Sequence, residues 1–191
     1  MPTKELALLQ QMLENTSFAL PSDPQSTCQL KEESREATLK KVFLQELGEN
    51  ALVLFPEKGQ GKDKRYSPLL NKKPKSNHNK ACDAVILCSH KDKHYQILCE
   101  LKSGSPKGAA EQFEATLCFL SYLDCLLRRL YQCIPPKRGV RRIVLNTEKQ
   151  TCQTLDKRPV SPSKRTSPDK EIHFIHVNND SKIGIGRLIF P

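Results

Sequence analysis

Two apolar segments separated by a short polar one lie in the middle of the chain. Residues 82–88 and 95–102 are rich in Val, Ile, Leu, Cys and Tyr, and each is about as long as a strand. The residues between them, 89–94, are all polar. We predict an antiparallel hairpin whose turn is centred between Lys91 and Asp92.

The register of this hairpin decides which side chains meet. With that turn, Cys88 faces Tyr95, and Asp83 falls opposite Glu100, where the Cβ atoms of paired residues lie roughly 5 Å apart. Because side chains alternate along a strand, Glu100 and Lys102 share one face. The pattern therefore brings Asp83, Glu100 and Lys102 together on one patch.

The amino-terminal part of the chain has the spacing of helices followed by a strand. We predict an amphipathic helix over 3–15, a linker over 18–27, a longer helix over 29–47 and the first core strand over 51–55. The core stripe of the longer helix is formed by Leu39, Val42, Phe43 and Leu47.

The carboxyl-terminal half predicts one long helix and further strands. The helix covers about 109–131, with Ser105 suited to cap its start. A strand over 140–146 follows through a right-handed parallel crossover. Segments 171–177 and 186–190 are predicted as two further strands.

From residue 29 onward these elements follow the order helix, strand, strand, strand, helix, strand. We therefore predict an α/β fold with a mixed central sheet flanked by helices, an extra N-terminal helix and C-terminal strands. The 191 residues fit one domain. Its predicted parts are an N-terminal helix with its linker, a core, a basic loop inside the core, a flexible basic segment and C-terminal strands, at 1–28, 29–147, 56–80, 148–170 and 171–191.

Asp83, Glu100 and Lys102 are charged residues within apolar strands. Burying a charge costs free energy unless the charge is paired or binds a metal. Mg²⁺ takes oxygen ligands from one or two carboxylates together with water and phosphate oxygens. The patch therefore predicts a divalent-cation site at Asp83 and Glu100. Lys102 would orient the attacking water or help to deprotonate it in phosphodiester hydrolysis.

The spacing of these residues is similar to that of a known family. Asp83, a sixteen-residue gap and then Glu100-Leu101-Lys102, followed by a helix, resemble the PD-(D/E)xK nuclease superfamily over roughly residues 30–147. The resemblance implies a restriction-endonuclease-like αβββαβ core. It also implies that Asp83 and Glu100 bind Mg²⁺ or Mn²⁺, that the main-chain carbonyl of Leu101 can join them, and that Lys102 assists the attacking water.

Gln112 is the polar member of the inner face of the long helix. Because that helix begins next to Lys102, Gln112 could orient water or contact a phosphate. Some members of the resembled family carry Tyr four residues later, where this chain has Thr116, and Cys82 stands where the family name has Pro. A buried glutamine that binds local backbone explains Gln112 equally well.

The resemblance further implies a glutamate from the first core helix. Helical steps lead back from Leu39 to Glu36, which we assign to the site, with Glu32 or Glu33 as alternatives. The acidic end of a solvated helix, favoured by the helix dipole, explains these residues equally well.

The net charge favours a polyanionic partner. The chain carries 31 Lys and Arg against 21 Asp and Glu, a formal net charge of +10. Much of the excess lies in the loop at 56–80, which leads to Asp83 and could clamp a nucleic-acid backbone without reading its sequence. A solvated insertion is the alternative. The residues assigned to nucleic-acid binding are Lys58, Lys62, Lys64, Arg65, Lys72, Lys73, Lys75, Lys80 and Lys107.

Composition also bounds the compartment and the partners. The eight cysteines include no Cys-x-x-Cys pair, which favours buried thiols in a reducing compartment over disulfides or zinc. No charged leader or long apolar run is present, so we expect an intracellular protein, cytoplasmic or nuclear, without a membrane partner. We expect nucleic acid as the substrate, DNA favoured over RNA, and a homodimer or regulatory protein that restrains the enzyme.

Two other functions fit the same residues. A nuclease-like fold without catalysis would use its basic loops only to bind nucleic acid or a protein. Alternatively, Glu100 and Lys102 would form an ordinary ion pair on a solvated sheet and need no function.

Overall fold

The computed structural model describes residues 3–13, 18–19, 27–32, 37–48, 50–56, 80–147, 153–154 and 171–191. The helices within these ranges are α1 (Lys4–Met12), α2 (Ala109–Leu130) and α3 (Ile185–Ile189). The strands are β1 (Phe18–Ala19), β2 (Cys28–Lys31), β3 (Lys41–Gln45), β4 (Ala51–Leu54), β5 (Ala84–His90), β6 (Lys93–Lys102), β7 (Arg138–Asn146), β8 (Gln153–Thr154), β9 (Glu171–His176) and β10 (Ser181–Gly184).

The described strands form two sheets. The larger has the order β1-β4-β5-β6-β7-β9-β8, in which β6, β7 and β9 are parallel and the other pairs antiparallel. The smaller has the order β10-β3-β2. The protein is therefore an α/β protein with a mixed sheet, as its sequence predicts.

The predicted hairpin and its register are confirmed. Cys88 pairs with Tyr95, and the ladder continues to Ala84 opposite Cys99. Lys91 and Asp92 both have positive φ, +47° and +60°, the backbone that a two-residue hairpin turn of matching twist requires. A one-residue slip would have moved every side chain to the other face.

Each face of the large sheet packs against a different layer. On one face, Leu98 and Val144 belong to an apolar cluster with Phe113 and Leu127 of α2 and Leu9 of α1. On the other face, alternate strand residues pack against the smaller sheet and α3; these include Ile97, Cys99, Leu101, Leu44 and Leu188. Glu100 and Lys102 alternate with Cys99 and Leu101, so they share the face of α2.

The long helix and its parallel crossover are also confirmed, but the start of the helix differs from the prediction. Ser105 does not cap α2, because the N-cap is Gly108, whose φ of +85° suits a residue without a Cβ. The Ser105 hydroxyl instead accepts a hydrogen bond from the backbone N–H of Lys107 at 3.3 Å.

Two predicted elements are wrong. None of the described residues within 29–47, namely 29–32 and 37–47, is helical, and β2 and β3 occupy the two ends of that range as an antiparallel pair. The strand over 186–190 is mostly the helix α3, and it follows β10, which the sequence did not predict. In both places a short apolar run fits either period, and pairing between β3 and the distant β10 decides the outcome.

The remaining predicted helices and strands are present, but β1 lies in the predicted linker over 18–27 and β8 in the predicted flexible segment over 148–170. Helix α1 lies within 3–15, and strands β4, β7 and β9 match 51–55, 140–146 and 171–177 to within a few residues. No helix in the part of the chain that the structure describes combines the length and apolar character needed to cross a bilayer.

Candidate active site

The carboxyl ends of the parallel strands lie side by side along one edge of the large sheet, where edge means the row of strand ends and not an outer strand. Lys102, Asn146 and His176, the last residues of β6, β7 and β9, are register partners in a single row on the α2 face. Since β5 runs antiparallel to β6, Asp83 precedes β5 at this same edge. Ligands commonly bind at the carboxyl ends of parallel strands in α/β proteins.

Asp83 and Glu100 are held side by side through the backbone of each other's strand. The backbone N–H of Asp83 donates to Glu100 Oε2 at 3.3 Å, and the N–H of Leu101 donates to Asp83 Oδ2 at 2.7 Å. Each carboxylate therefore contacts the backbone beside the other, at the neighbouring positions that the predicted register gives them. Glu100 is only 3% exposed, which excludes the reading of a solvated ion pair.

Lys102 connects the carboxylate of Glu100 to the long helix. Its Nζ lies 2.7 Å from Glu100 Oε1 and donates to Gln112 Oε1 at 3.1 Å. The Lys102 side chain keeps 21% exposure, so the ammonium lies between the buried carboxylate and solvent. The structure thus brings the predicted Asp83, Glu100, Lys102 and Gln112 together from three elements.

Gln112 also binds the segment that carries Asp83. Its Nε2 donates to the carbonyl of Ala81 at 3.2 Å. One turn later, the Thr116 hydroxyl donates to the carbonyl of Gln112 at 2.8 Å and accepts from the N–H of Cys82 at 2.9 Å. Helix α2 therefore fixes the approach to β5, and Gln112 contacts both Lys102 and this backbone.

The electrostatics of Glu100 reflect its burial. Desolvation raises the pKa of the carboxyl above its ordinary value. The positive charge and hydrogen bond of Lys102 oppose that rise in pKa, as do the hydrogen bonds from Gln112 and from the backbone of Asp83. A further cation beside Glu100 would stabilise the ionised carboxylate in the same way.

The turn after Lys102 is fixed by buried polar groups. Asn146, which is fully buried, donates from Nδ2 to the carbonyl of Gly104 at 3.0 Å, and Thr147 Oγ1 donates to the carbonyl of Ser103 at 3.0 Å. The Ser103 hydroxyl accepts two backbone N–H groups, from Thr38 at 2.8 Å and Leu39 at 2.9 Å. These bonds fix the backbone immediately after the site.

The other predicted site residues have different outcomes. The side chain of Leu101 is buried on the face opposite Glu100, so the prediction concerns only its main-chain carbonyl. Lys107 is exposed in the turn before α2, and Lys80 is exposed three residues before Asp83. Glu36 and the remaining predicted basic residues lie outside the described residues: Lys58, Lys62, Lys64, Arg65, Lys72, Lys73 and Lys75.

The described residues on both sides of Glu36 are not helical, so the assignment of Glu36 has lost its structural basis. The chain from 28 to 45 provides strands β2 and β3 where a core helix was expected. Of the two alternatives, Glu32 follows β2 and is half-buried, and Glu33 is not among the described residues.

The donor set suits a hard divalent cation. Asp83 and Glu100 supply oxygen atoms, and with Lys102 the three side chains carry one excess negative charge when ionised. No group of three or more His, Cys, Asp and Glu side chains suited to a metal occurs within the described ranges. The predicted ligand set includes only two such side chains, the third ligand being a carbonyl, so it is of a different kind.

Cys82 and Cys99 lie close to the site and Cys88 lies toward the other end of β5, and all three are poor nucleophiles. Burial raises the pKa of the Cys82 and Cys99 thiols, and it raises the pKa of Cys88 to about 12. The seven cysteines that the structure describes are free thiols. The prediction of buried, unreactive cysteines holds for these three.

Sequence reasoning gave no role to Asn146, Thr116 or His176 at this edge. Asn146 and Thr116 support the backbone around the site, and His176 presents an exposed side chain at the end of the row. A signal was present for Asn146, since a polar residue directly follows an apolar run of Ile, Val and Leu. The register that aligns it with Lys102 depends on a crossover through a 22-residue helix.

Comparison with known proteins identifies no relative. The chain matches no protein-family model, no curated protein and no solved structure.

Proposed function

We propose that this protein is a Mg²⁺- or Mn²⁺-dependent nuclease that hydrolyses phosphodiester bonds, with DNA favoured as the substrate. The observation that carries the proposal is the buried carboxylate of Glu100. It lies beside Asp83 at the edge of the sheet, and Lys102 connects it to Gln112. Holding two carboxylates close to each other costs free energy. A reaction that requires a bound cation would explain why the protein keeps them together.

The local fold supports the resemblance to PD-(D/E)xK nucleases. The elements β4, β5, β6, α2 and β7 follow in the order strand, strand, strand, helix, strand, with Asp83 before the second strand and Glu100 and Lys102 ending the third. Where that family has a preceding helix, the described residues of this chain form β2 and β3. The proposal therefore rests on this five-element unit and on the geometry of its site.

The residues divide into ligands and positioning groups. Asp83, Glu100 and the main-chain carbonyl of Leu101 would hold the metal. A bound Mg²⁺ or Mn²⁺ would polarise a phosphate oxygen and lower the pKa of water. Lys102, partly exposed, would orient the attacking water or stabilise negative charge on the phosphate. Gln112 holds Lys102 in place by accepting its hydrogen bond.

The charge distribution supports a nucleic-acid substrate. Lys80 and Lys107 are exposed on the backbone segments that enter and leave the site. The described residues that border the basic segment, Pro56 and Lys80, both adjoin the edge where β4 ends and β5 begins. Contacts of Lys and Arg with phosphates would provide affinity that depends strongly on salt and little on sequence.

One observation favours a second function, that of a nuclease-like module that binds nucleic acid or a protein without cleaving. The ammonium of Lys102, 2.7 Å from Glu100, already compensates this carboxylate without a metal. In that case binding would persist and metal would have no effect on it.

A cleavage assay, together with a gel-shift assay of binding to the same substrates, separates the two functions. Labelled DNA and RNA, single-stranded and duplex, are incubated with Mn²⁺ and the wild type, Glu100→Ala, Lys102→Ala or a control, Lys93→Ala. Lys93 is exposed at the opposite end of the same strand. We expect cleavage by the wild type and the control only. Binding without cleavage by all four proteins would support the second function, and equal cleavage by all four would refute the assigned site.

A further inference from the structure

The outward face of α2 carries apolar side chains that are exposed to solvent. Tyr122 is 59% exposed, and Cys118 and Cys125, one turn on either side, are exposed as well. The opposite face of α2 already packs against the large sheet, so this outer surface is additional to the core.

The exposed residues follow the spacing of a helix that packs against another helix. Glu111, Cys118, Tyr122, Cys125 and Arg129 are separated by seven, four, three and four residues, the repeat of a coiled-coil seam. The seam is apolar in its middle, acidic at its amino end and basic at its carboxyl end. All five residues are exposed.

Four of the five seam residues are complementary when the seam is reversed, and Cys125 would face Ala115, which is nearly buried. The midpoint between Glu111 and Arg129 is position 120, and the midpoint between Cys118 and Tyr122 is the same position. A two-fold axis at that point would therefore place Glu111 opposite Arg129 and Cys118 opposite Tyr122 simultaneously. Each pairing would occur twice, as in every two-fold symmetric interface.

We propose that α2 of one copy packs antiparallel against α2 of a second copy, and that this protein is a homodimer through the seam. Antiparallel packing also places the opposite ends of the two helix dipoles next to each other. The α2 helix has 22 residues and is about 33 Å long, and the seam from Glu111 to Arg129 runs along roughly 27 Å of it. The proposal does not depend on the proposed nuclease function, because Gln112 lies on the inner face of the helix.

Charge exchange tests the pairing. Glu111→Arg and Arg129→Glu each create two like-charge contacts in the dimer, whereas the double variant restores opposite charges. We expect sedimentation equilibrium to show a dimer for the wild type, a dissociation constant raised on the order of tenfold in each single variant, and recovery in the double variant. A wild type that is monomeric, or a dimer that the double variant fails to restore, would overturn the proposal.

Disulfide trapping tests the position of the axis. In Tyr122→Cys, the new thiol would face Cys118 of the second copy, so mild oxidation should give a covalent dimer on a non-reducing gel. Adding Cys118→Ser should abolish it, and Lys182→Cys, an exposed position on β10, should not form it. Equal trapping in all three proteins would contradict this interface. Because these positions are exposed, circular dichroism should show that every variant folds.

Discussion

Two buried ion-pair clusters lie at opposite ends of the strands of the same sheet. They are built differently. At the first residue of β7, the guanidinium of Arg138 binds Glu5 of α1 through Nη2 and Asp124 of α2 through Nη1, the latter at 3.1 Å. At the other edge, the ammonium of Lys102 binds Glu100 of its own strand. The first cluster connects the consecutive elements α2 and β7 to α1, which is distant in sequence, and the second cluster places opposite charges at one strand end.

The nature of the cation explains the difference. The planar guanidinium of Arg138 donates several bonds in fixed directions and is only 6% exposed, which suits a permanent connection between helices and sheet. Lys102 is a point charge on a flexible stem, is partly exposed and contacts an amide as well as a carboxylate. We infer that the Arg138 cluster serves stability and the Lys102 cluster serves chemistry.

The largest expected effect comes from neutralising one carboxylate in the Lys102 cluster, which consists of Asp83, Glu100 and Lys102. Glu100→Gln should lower metal-dependent cleavage on the order of a thousandfold, because it removes a charged ligand at the site. Arg138→Gln, tested under conditions in which it is folded, should leave the rate per folded molecule unchanged. Initial rates at saturating Mn²⁺, normalised by the folded fraction, measure both. Equal losses in the two variants would remove the functional distinction between the clusters.

The same Arg138→Gln change should have the largest effect on stability. It leaves the buried Glu5 without its guanidinium partner, which should cost about 3 kcal/mol or more in the free energy of unfolding. Urea unfolding followed by circular dichroism measures this cost, with Lys93→Gln on the same sheet as an exposed control. A cost below that of an ordinary surface change would show that the cluster does not stabilise the fold.

The Lys102 cluster was predictable from sequence because it depends on the pairing of two neighbouring strands. A polar linker set the turn between Lys91 and Asp92, and alternation then placed Glu100 beside Asp83 and on the face of Lys102. Gln112 followed from helical spacing after a short turn. Each step covers fewer than twenty residues, so few alternative registers compete.

The Arg138 cluster and the smaller sheet were not predicted because they depend on distant residues. Arg138 contacts Glu5, which is more than 130 positions away in the chain. Neither residue lies in a sequence pattern that indicates the other as its partner. Likewise, Val42 lies in a strand because β3 pairs with β2 and with β10, which begins at Ser181. Spacing along 29–47 could not separate that strand from a helix, since tertiary pairing overrides local preference.

A smaller effect should follow from removing the second partner in each cluster. Gln112→Ala deletes the acceptor that positions Lys102, so cleavage should fall roughly tenfold, the equivalent of one lost hydrogen bond. Asp124→Ala deletes the corresponding partner of Arg138 and should cost about 1 kcal/mol of stability with no change in rate. Single-turnover rates and urea midpoints measure the two effects. A rate loss in Asp124→Ala that matches the loss in Gln112→Ala would indicate that both act through the fold.

The smallest expected effect is the stabilisation of the fold by metal, and it distinguishes the clusters without any substrate. A cation that binds only the folded protein should raise the free energy of unfolding by about 0.8 kcal/mol at roughly three times its dissociation constant. Thermal unfolding with and without Mn²⁺ should show this gain in the wild type and in Arg138→Gln, because both retain Asp83 and Glu100. Glu100→Gln should lose the gain even though it stays folded. An equal gain in all three proteins would place the metal elsewhere, since only one of the three lacks the Glu100 carboxylate.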